Sequence, residues 1–244
     1  MVSPPGDHLA RVGQVGPFFH IHPGPRPDPE GFRPLGELYG EGPALASYTA
    51  FVARRLGTDQ TRVAASTVQL GLASRLWSVA LASASLAGRV PDLDPARVWW
   101  CPNPAGPLRL WLPEPRDLPA DGPTGLAGAL HATVVEANLR PLGDAVRELA
   151  RVSWHSLHGN AASALVGGLR VLADARPDVR ATAVTLAEKV LRHPPLADAG
   201  TVSPAPDGLA LARHNCCLYY RVPGGGTCGD CVLRHRSRTA HAGR

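Results

Sequence analysis

Apolar residues recur at helical spacing over most of the chain beyond residue 43. The pattern predicts a short amphipathic helix over Ala44–Leu56 that ends at Gly57. A long helix follows, with Asp59 as its N-cap and its end near Leu86. The apolar positions that share one face of this helix are Val63, Leu70, Trp77 and Leu81. Its many alanines and serines predict close packing against another helix.

Helical spacing returns in the second half of the chain. It predicts a helix over Thr124–Leu139 that is broken at Pro141 and continued by Leu142–Arg151. Two more helices are predicted, over Ser156–Ala175 and Asp178–Arg192. Residues 194–208 are rich in proline and small residues and are interpreted as a linker or loop.

Between these helical regions lie two β-rich runs, Val98–Cys101 and Leu108–Leu112, separated by a stretch rich in proline. They predict one β-hairpin. Cys101 falls within it and is interpreted as a small buried apolar residue.

The expected fold is therefore mainly α. It has an irregular Pro/Gly-rich segment at 1–43, a helical body at 44–208 that contains the hairpin, and a small C-terminal unit at 209–244.

The basic residues are nearly all arginine, since Lys189 is the only lysine. Such arginine use, together with abundant Ala, Gly and Pro, is typical of GC-rich coding. The net charge of +5 therefore does not indicate a nucleic-acid partner. The densest basic run, 234–244, is interpreted as a solvated terminus, or alternatively as a docking patch for an acidic electron donor or an anionic substrate.

No apolar run approaches the roughly 18–20 residues of a membrane span, and the N-terminus lacks the basic start of a signal peptide. We expect no transmembrane segment and a cytoplasmic location, with attachment to the inner face of the membrane left open. Thiols stay reduced in that compartment, so clustered cysteines there indicate metal ligation rather than disulfides.

Four of the five cysteines lie close together near the end of the chain, in the pattern C-C-x10-C-x2-C. They are Cys216, Cys217, Cys228 and Cys231. The Gly224–Gly226 run between the pairs allows the chain to turn back. Four thiolates suit a zinc ion or an iron–sulfur cluster. The adjacent pair departs from the usual zinc knuckle and favours a cluster, while zinc and a redox dithiol remain open alternatives.

The segment 214–233, HNCCLYYRVPGGGTCGDCVL, resembles the C-terminal motif of the FhuF-like ferric siderophore reductases in spacing and in its flanking residues. A second, looser resemblance to this family lies at 156–165, SLHGNAASAL. The resemblance implies a [2Fe–2S] cluster held by the four cysteines and a ferric siderophore as substrate. No catalytic residue beyond the cluster is implied.

The chain lacks a glycine-rich nucleotide-binding fingerprint, so its electron donor is expected to be a separate protein, a ferredoxin or a flavin/NAD(P)H reductase. Siderophore binding is expected in the helical body, through arginines and through tryptophans among Trp99, Trp100, Trp111 and Trp154. Two other hypotheses remain: a non-enzymatic [2Fe–2S] redox or iron sensor or carrier, and a zinc-knuckle interaction protein.

Overall fold

The fold is organised around one long helix, α3 (Thr61–Ala87), in a computed structural model that describes residues 6–233. Most of its residues are buried, and between residues 63 and 84 only the stripe formed by Thr67, Leu70, Gly71 and Ser74 is partly exposed, so it is a core helix. By length and composition it resembles a membrane span, with a mean hydropathy of 1.3, but 72% of that stretch is buried inside the protein. Its apolar character is therefore explained by packing within the fold.

Six further α-helices surround α3 within the described residues, which confirms the predicted mainly α fold. They are α1 (Asp7–Gly13), α2 (Ala44–Leu56), α4 (Gly122–Leu130), α5 (Arg140–Ala150), α6 (Trp154–Ala175) and α7 (Arg180–Leu191).

The most extensive packing joins α3 to α6. The two helices approach closely because small residues face each other. A Cβ on Gly168 of α6 would lie 3.2 Å from Oγ of Ser78 on α3. The close packing predicted from the alanines and serines of α3 is confirmed.

Helix ends agree with the predictions where local chemistry marks them. Helix α2 ends at Gly57, which adopts a left-handed conformation with φ 63°. The predicted N-cap of α3 was wrong: Gln60 occupies that position, one residue after Asp59. Helix α6 begins at Trp154, two residues earlier than expected, because the Ser153 hydroxyl accepts a hydrogen bond from the Ser156 amide.

The predicted break at Pro141 is absent. A π-helix (His131–Leu139) joins α4 directly to α5, and Pro141 falls in the first turn of α5, where its missing N–H is tolerated. Asn138 stabilises the wide turn, since its side chain donates to the carbonyl of Thr133, five residues earlier, at 2.7 Å.

The predicted hairpin forms from β4 (Trp99–Cys101) and β5 (Arg109–Leu112), with Trp99 paired with Trp111. It belongs to a larger sheet with the order β1-β5-β4-β2, in which β1 (His22–Pro23) is parallel to β5 and β2 (Arg33–Pro34) is antiparallel to β4.

The N-terminal segment is more ordered than expected. It contributes α1, the strands β1 and β2, and a 3₁₀ helix (Leu35–Leu38). The buried Arg75 of α3 fixes it by donating to the carbonyls of Pro17 and His20.

The expectation of a single hairpin was wrong, because a second one forms from β7 (Gly200–Ala205) and β8 (Gly208–Arg213) where a linker was expected. Alternate residues of β8 are buried, and the strand packs on α6. A further short pair joins β3 (Val90–Pro91) to β6 (Asp117–Leu118). Strand β8 leads directly into the cysteine segment.

Candidate metal centre

The cysteine segment turns back on itself just after β8. Leu218 adopts a left-handed conformation with φ 69°, and a 3₁₀ helix (Tyr219–Arg221) follows. Gly224 and Gly226, with φ 71° and 64°, reverse the chain in a conformation that residues with side chains rarely adopt. The turn returns Cys228 to Cys217, and their Sγ atoms lie 3.5 Å apart.

All four cysteines of the segment are free thiols. Contact with Cys228 lowers the pKa of Cys217 to about 6, and the same contact raises the pKa of Cys228. Burial raises the pKa of Cys216, whose Sγ accepts a hydrogen bond from the Leu218 amide at 3.3 Å. The N–H of Tyr219 further favours the Cys217 thiolate. These amide donors belong to the turn after the first pair and not to the glycine run.

The donor set fits a [2Fe–2S] cluster in its chemistry. Four thiols lie on one short segment, and electrostatic interactions connect Cys216 and Cys228 to both Cys217 and Cys231. The positions of the sulfurs do not yet match such a site: Cys217 and Cys228 are in contact, but no three His, Cys, Asp or Glu side chains among residues 6–233 are close enough together to hold a metal ion.

A buried hydrogen-bond network fixes the first cysteine pair to the helical body. Ser66 of α3 donates to the carbonyl of Cys217 at 2.9 Å. Asn160 of α6 donates to the carbonyl and hydroxyl of Ser66 at 3.1 and 3.0 Å, and its Oδ1 accepts from Nη2 of Arg213 at 2.8 Å. Arg213, which lies at the end of β8, also donates to the carbonyls of Ser156 and Asn215.

Gly159 makes room for this arginine. A Cβ at Gly159 would lie 2.7 Å from Nη2 of Arg213, closer than side chains pack. The helix α6 therefore presents a notch for the guanidinium, followed immediately by the asparagine that binds it.

The second cysteine pair is held through Asp230, which lies between Cys228 and Cys231. Its carboxylate accepts from Ser163 of α6 at 2.8 Å and from both terminal nitrogens of Arg170 at 3.2 Å. Asp230 is buried, and a buried carboxylate needs a countercharge, which the partly buried Arg170 supplies.

Next to the segment lies a mainly apolar cavity of about 310 Å³ between α3, α6 and the N-terminal segment. Cys228 and Asp230 form part of its wall. The exposed Phe18 and Val171 stand at its margin.

The other candidate residues lie outside this centre. Cys101 is buried in a small cluster with Phe32 and Trp111, and its Sγ accepts from Arg109 at 3.0 Å. Trp100 is fully buried and Trp111 nearly so, whereas Trp154 lines a different cavity. The basic run at 234–244 lies outside the described residues.

The sequence did not reveal which residues of the helical body and of β8 hold the cysteine segment in place. They are Ser66, Ser163, Arg170 and Arg213. Of these four, only Ser163 lies in the second resemblance at 156–165, which also contains Gly159 and Asn160.

Residues 213–233 match the protein-family model described as the FhuF 2Fe-2S C-terminal domain. No curated protein matches the chain. The match covers the cysteine segment and not the helical body, and it confirms the resemblance predicted from 214–233. The C-terminal segment of this chain is accordingly a [2Fe–2S] domain of the FhuF type.

Proposed function

We propose that this protein is a ferric-siderophore reductase that transfers one electron to an Fe(III)–siderophore and so releases Fe(II). One observation carries the proposal: the segment that matches a FhuF 2Fe-2S domain is fixed to a helical body beside a cavity bordered by Cys228. A redox group and a place for a small ligand are thus neighbours.

The proposed cluster ligands are Cys216, Cys217, Cys228 and Cys231. When bound, a [2Fe–2S] cluster supplies one-electron transfer. Residues of the segment itself favour metal ligation. The pKa of Cys217 is lowered toward the thiolate form that ligation requires, the amide of Leu218 donates to Sγ of Cys216, and the amide of Tyr219 donates to Cys217.

The substrate chemistry explains why one electron is sufficient. A siderophore holds Fe(III) through hard, anionic oxygen donors. Addition of one electron gives Fe(II), a softer ion that the same donors hold far less tightly. No side chain has to act as an acid or base for the iron to leave.

We place the chelate at the cavity beside Cys228. The charged groups in its wall, Asp230 and Arg213, already have internal partners in Arg170 and Asn160. The cavity therefore presents an apolar, electrically balanced wall that brings a ligand close to the cysteine segment without disturbing its ion pairs.

The electron comes from a separate donor protein, a ferredoxin or a flavin/NAD(P)H reductase. The cytoplasm is the proposed location, because both such donors and reduced thiols are found there.

A test of this function begins with protein purified anaerobically. Broad absorption between about 400 and 600 nm that bleaches with dithionite, with two irons per chain, is the expected result. Reduced protein is then mixed with ferric chelates of the trishydroxamate and triscatecholate types, and Fe(II) is captured by a colour-forming chelator. A coloured protein that yields no Fe(II) from any chelate would identify a sensor or carrier. A colourless protein with one zinc would exclude both redox functions.

A further inference from the structure

A second cavity, of about 430 Å³, lies in the helical body and none of its lining residues belongs to the cysteine segment. It is formed by α3, the π-helix, α5, α6 and the loop at Pro195 and Leu196. Its size is within the range of about 300–1,000 Å³ typical of sites for small molecules.

The strongest indication of a ligand is Gln69, which lines this cavity and is 1% exposed. Its Nε2 donates to the carbonyl of Leu157 at 3.3 Å, which fixes the orientation of the amide. Its Oε1 has no hydrogen-bond partner among the described residues. A buried acceptor without a donor costs about 1–3 kcal/mol, and a ligand that supplies an N–H or O–H removes this cost.

One wall of the cavity is aromatic. Trp154 and His158 stack with ring centroids 5.1 Å apart and an interplanar angle of 26°. Gly143 of α5 permits this arrangement, because a Cβ there would overlap the indole. Burial lowers the pKa of His158, so the imidazole is neutral near pH 7. The indole already has two neighbours, because the guanidinium of Arg147 lies 5.3 Å from its ring centroid and the imidazole stacks on it.

A second acceptor lies at the mouth of the cavity. Asp144 is exposed there, and no hydrogen bond or ion pair engages its carboxylate within residues 6–233. The neighbouring Arg140 is already paired with Glu136 at 2.8 Å. Gln69 and Asp144 thus offer two acceptors, which suit a ligand that carries at least one donor.

The wall opposite α6 includes Val135 and Leu139 of the π-helix. Wide helical turns of this kind occur frequently at functional sites, where they displace side chains from the regular helical register. Apolar side chains from the π-helix and the imidazole of His158 therefore line the same cavity.

We propose that this cavity binds a planar heteroaromatic ring that carries an N–H donor, and that its ligand is a free flavin. The ring lies against the imidazole of His158, and its N–H donates to Oε1 of Gln69. The choice of a flavin among such rings rests on the proposed reductase function, because flavins exchange single electrons.

Equilibrium dialysis of the full, iron-loaded protein tests the proposal with two probes. Lumiflavin carries the N3–H donor, and N3-methyl-lumiflavin is the same ring without it. We expect lumiflavin to bind at one site per chain and the methylated ring to bind about 10-fold more weakly, the value of one hydrogen bond to a buried acceptor.

The variant Gln69→Met is expected to weaken lumiflavin binding about 10-fold and to abolish the difference between the two probes. Gly143→Ala displaces the indole and is expected to weaken both probes alike. The matched control is Glu148→Gln, an exposed residue of α5 outside the cavity, which is expected to bind as the wild type does.

The proposal is overturned if lumiflavin fails to bind, if the two probes bind equally, or if a ferric chelate displaces lumiflavin from the site. Because dialysis measures binding without turnover, it is independent of the Fe(II) assay. Failure of the reductase function leaves a measured flavin site in place, and failure of the flavin site leaves reduction by a protein donor in place.

Discussion

Replacement of Asn160 by leucine tests how the helical body holds the cysteine segment. The side chain of similar size removes two hydrogen bonds to Ser66 and one from the buried guanidinium of Arg213. At about 1 kcal/mol for each neutral bond and about 2 kcal/mol for the charged one, the free energy of unfolding falls by about 4 kcal/mol. For a chain of this size the melting temperature is expected to fall by about 8–16 °C.

The loss is expected to reach the cysteines, because Ser66 is the donor to the carbonyl of Cys217. Without Asn160, nothing else on α6 orients the Ser66 hydroxyl. We therefore expect Asn160→Leu to lose iron to an external chelator several-fold faster than the wild type, as followed by the decay of visible absorption.

The matched control is Asn138→Leu. Asn138 is equally buried and also makes three hydrogen bonds, to the carbonyls of Leu93 and Thr133 and from the hydroxyl of Tyr39, but it does not contact the cysteine segment. It is expected to lose about 3 kcal/mol of stability and to retain iron as the wild type does. Equal rates of iron loss in the two variants would refute the role of Asn160, as would Asn160→Leu protein that retains iron normally.

Three further predictions concern the ligands, the charge balance and pH. Serine substitution of each proposed ligand is expected to lower the iron content and the visible absorption, whereas Cys101→Ser is expected to retain both. Metal analysis of the five variant proteins measures this. A normal iron content in any ligand variant would contradict the assignment of that cysteine. Arg170→Met leaves the buried carboxylate of Asp230 without its countercharge, so the reduction potential is expected to fall, and the double variant with Asp230→Asn is expected to restore it in a redox titration. Burial lowers the pKa of His8 below 6.5, so below that pH the unfolded chain binds a proton that the folded protein does not. The free energy of unfolding, measured between pH 5.5 and 7.5, is therefore expected to fall as the pH falls, and to change less with pH in His8→Gln. The same pH dependence in the variant and the wild type would contradict this.

The fold was predictable where local chemistry determines it. Gly57 ends α2 because its left-handed conformation closes the helix, and the periodicity of α6 matches its buried face. The hairpin at β7 and β8 was missed because Pro204 and Pro206 resemble linker residues. Pro204 lies on the outer strand and Pro206 in the turn, and neither position needs the backbone N–H that proline lacks.

The π-helix was not predictable from spacing, because its register depends on contacts made elsewhere. Besides the local bond to Thr133, the side chain of Asn138 donates to the carbonyl of Leu93, which another part of the chain supplies. The same sequence without that partner is indistinguishable from an ordinary helix broken at Pro141.

The sequence predicted the chemistry of the metal centre but not the residues of the helical body that hold the cysteine segment in place. The spacing of four cysteines within 216–231 favoured an iron–sulfur cluster over zinc, the resemblance implied the [2Fe–2S] type, and the family comparison agrees with it. The partner of Cys217 is Ser66, which is 151 positions away, and no local pattern distinguishes that serine from the others of α3. Such pairings depend on the packing of α3 against α6.

The most direct test of the central claim is a single-turnover measurement. Protein reduced anaerobically and freed of excess reductant is mixed with a ferric siderophore, and the Fe(II) captured is compared with the bleached absorption that returns. The proposed function predicts one Fe(II) for each chain reoxidised, and none from Cys217→Ser protein. Reoxidation without Fe(II), or Fe(II) formation that is unchanged in Cys217→Ser, would contradict it.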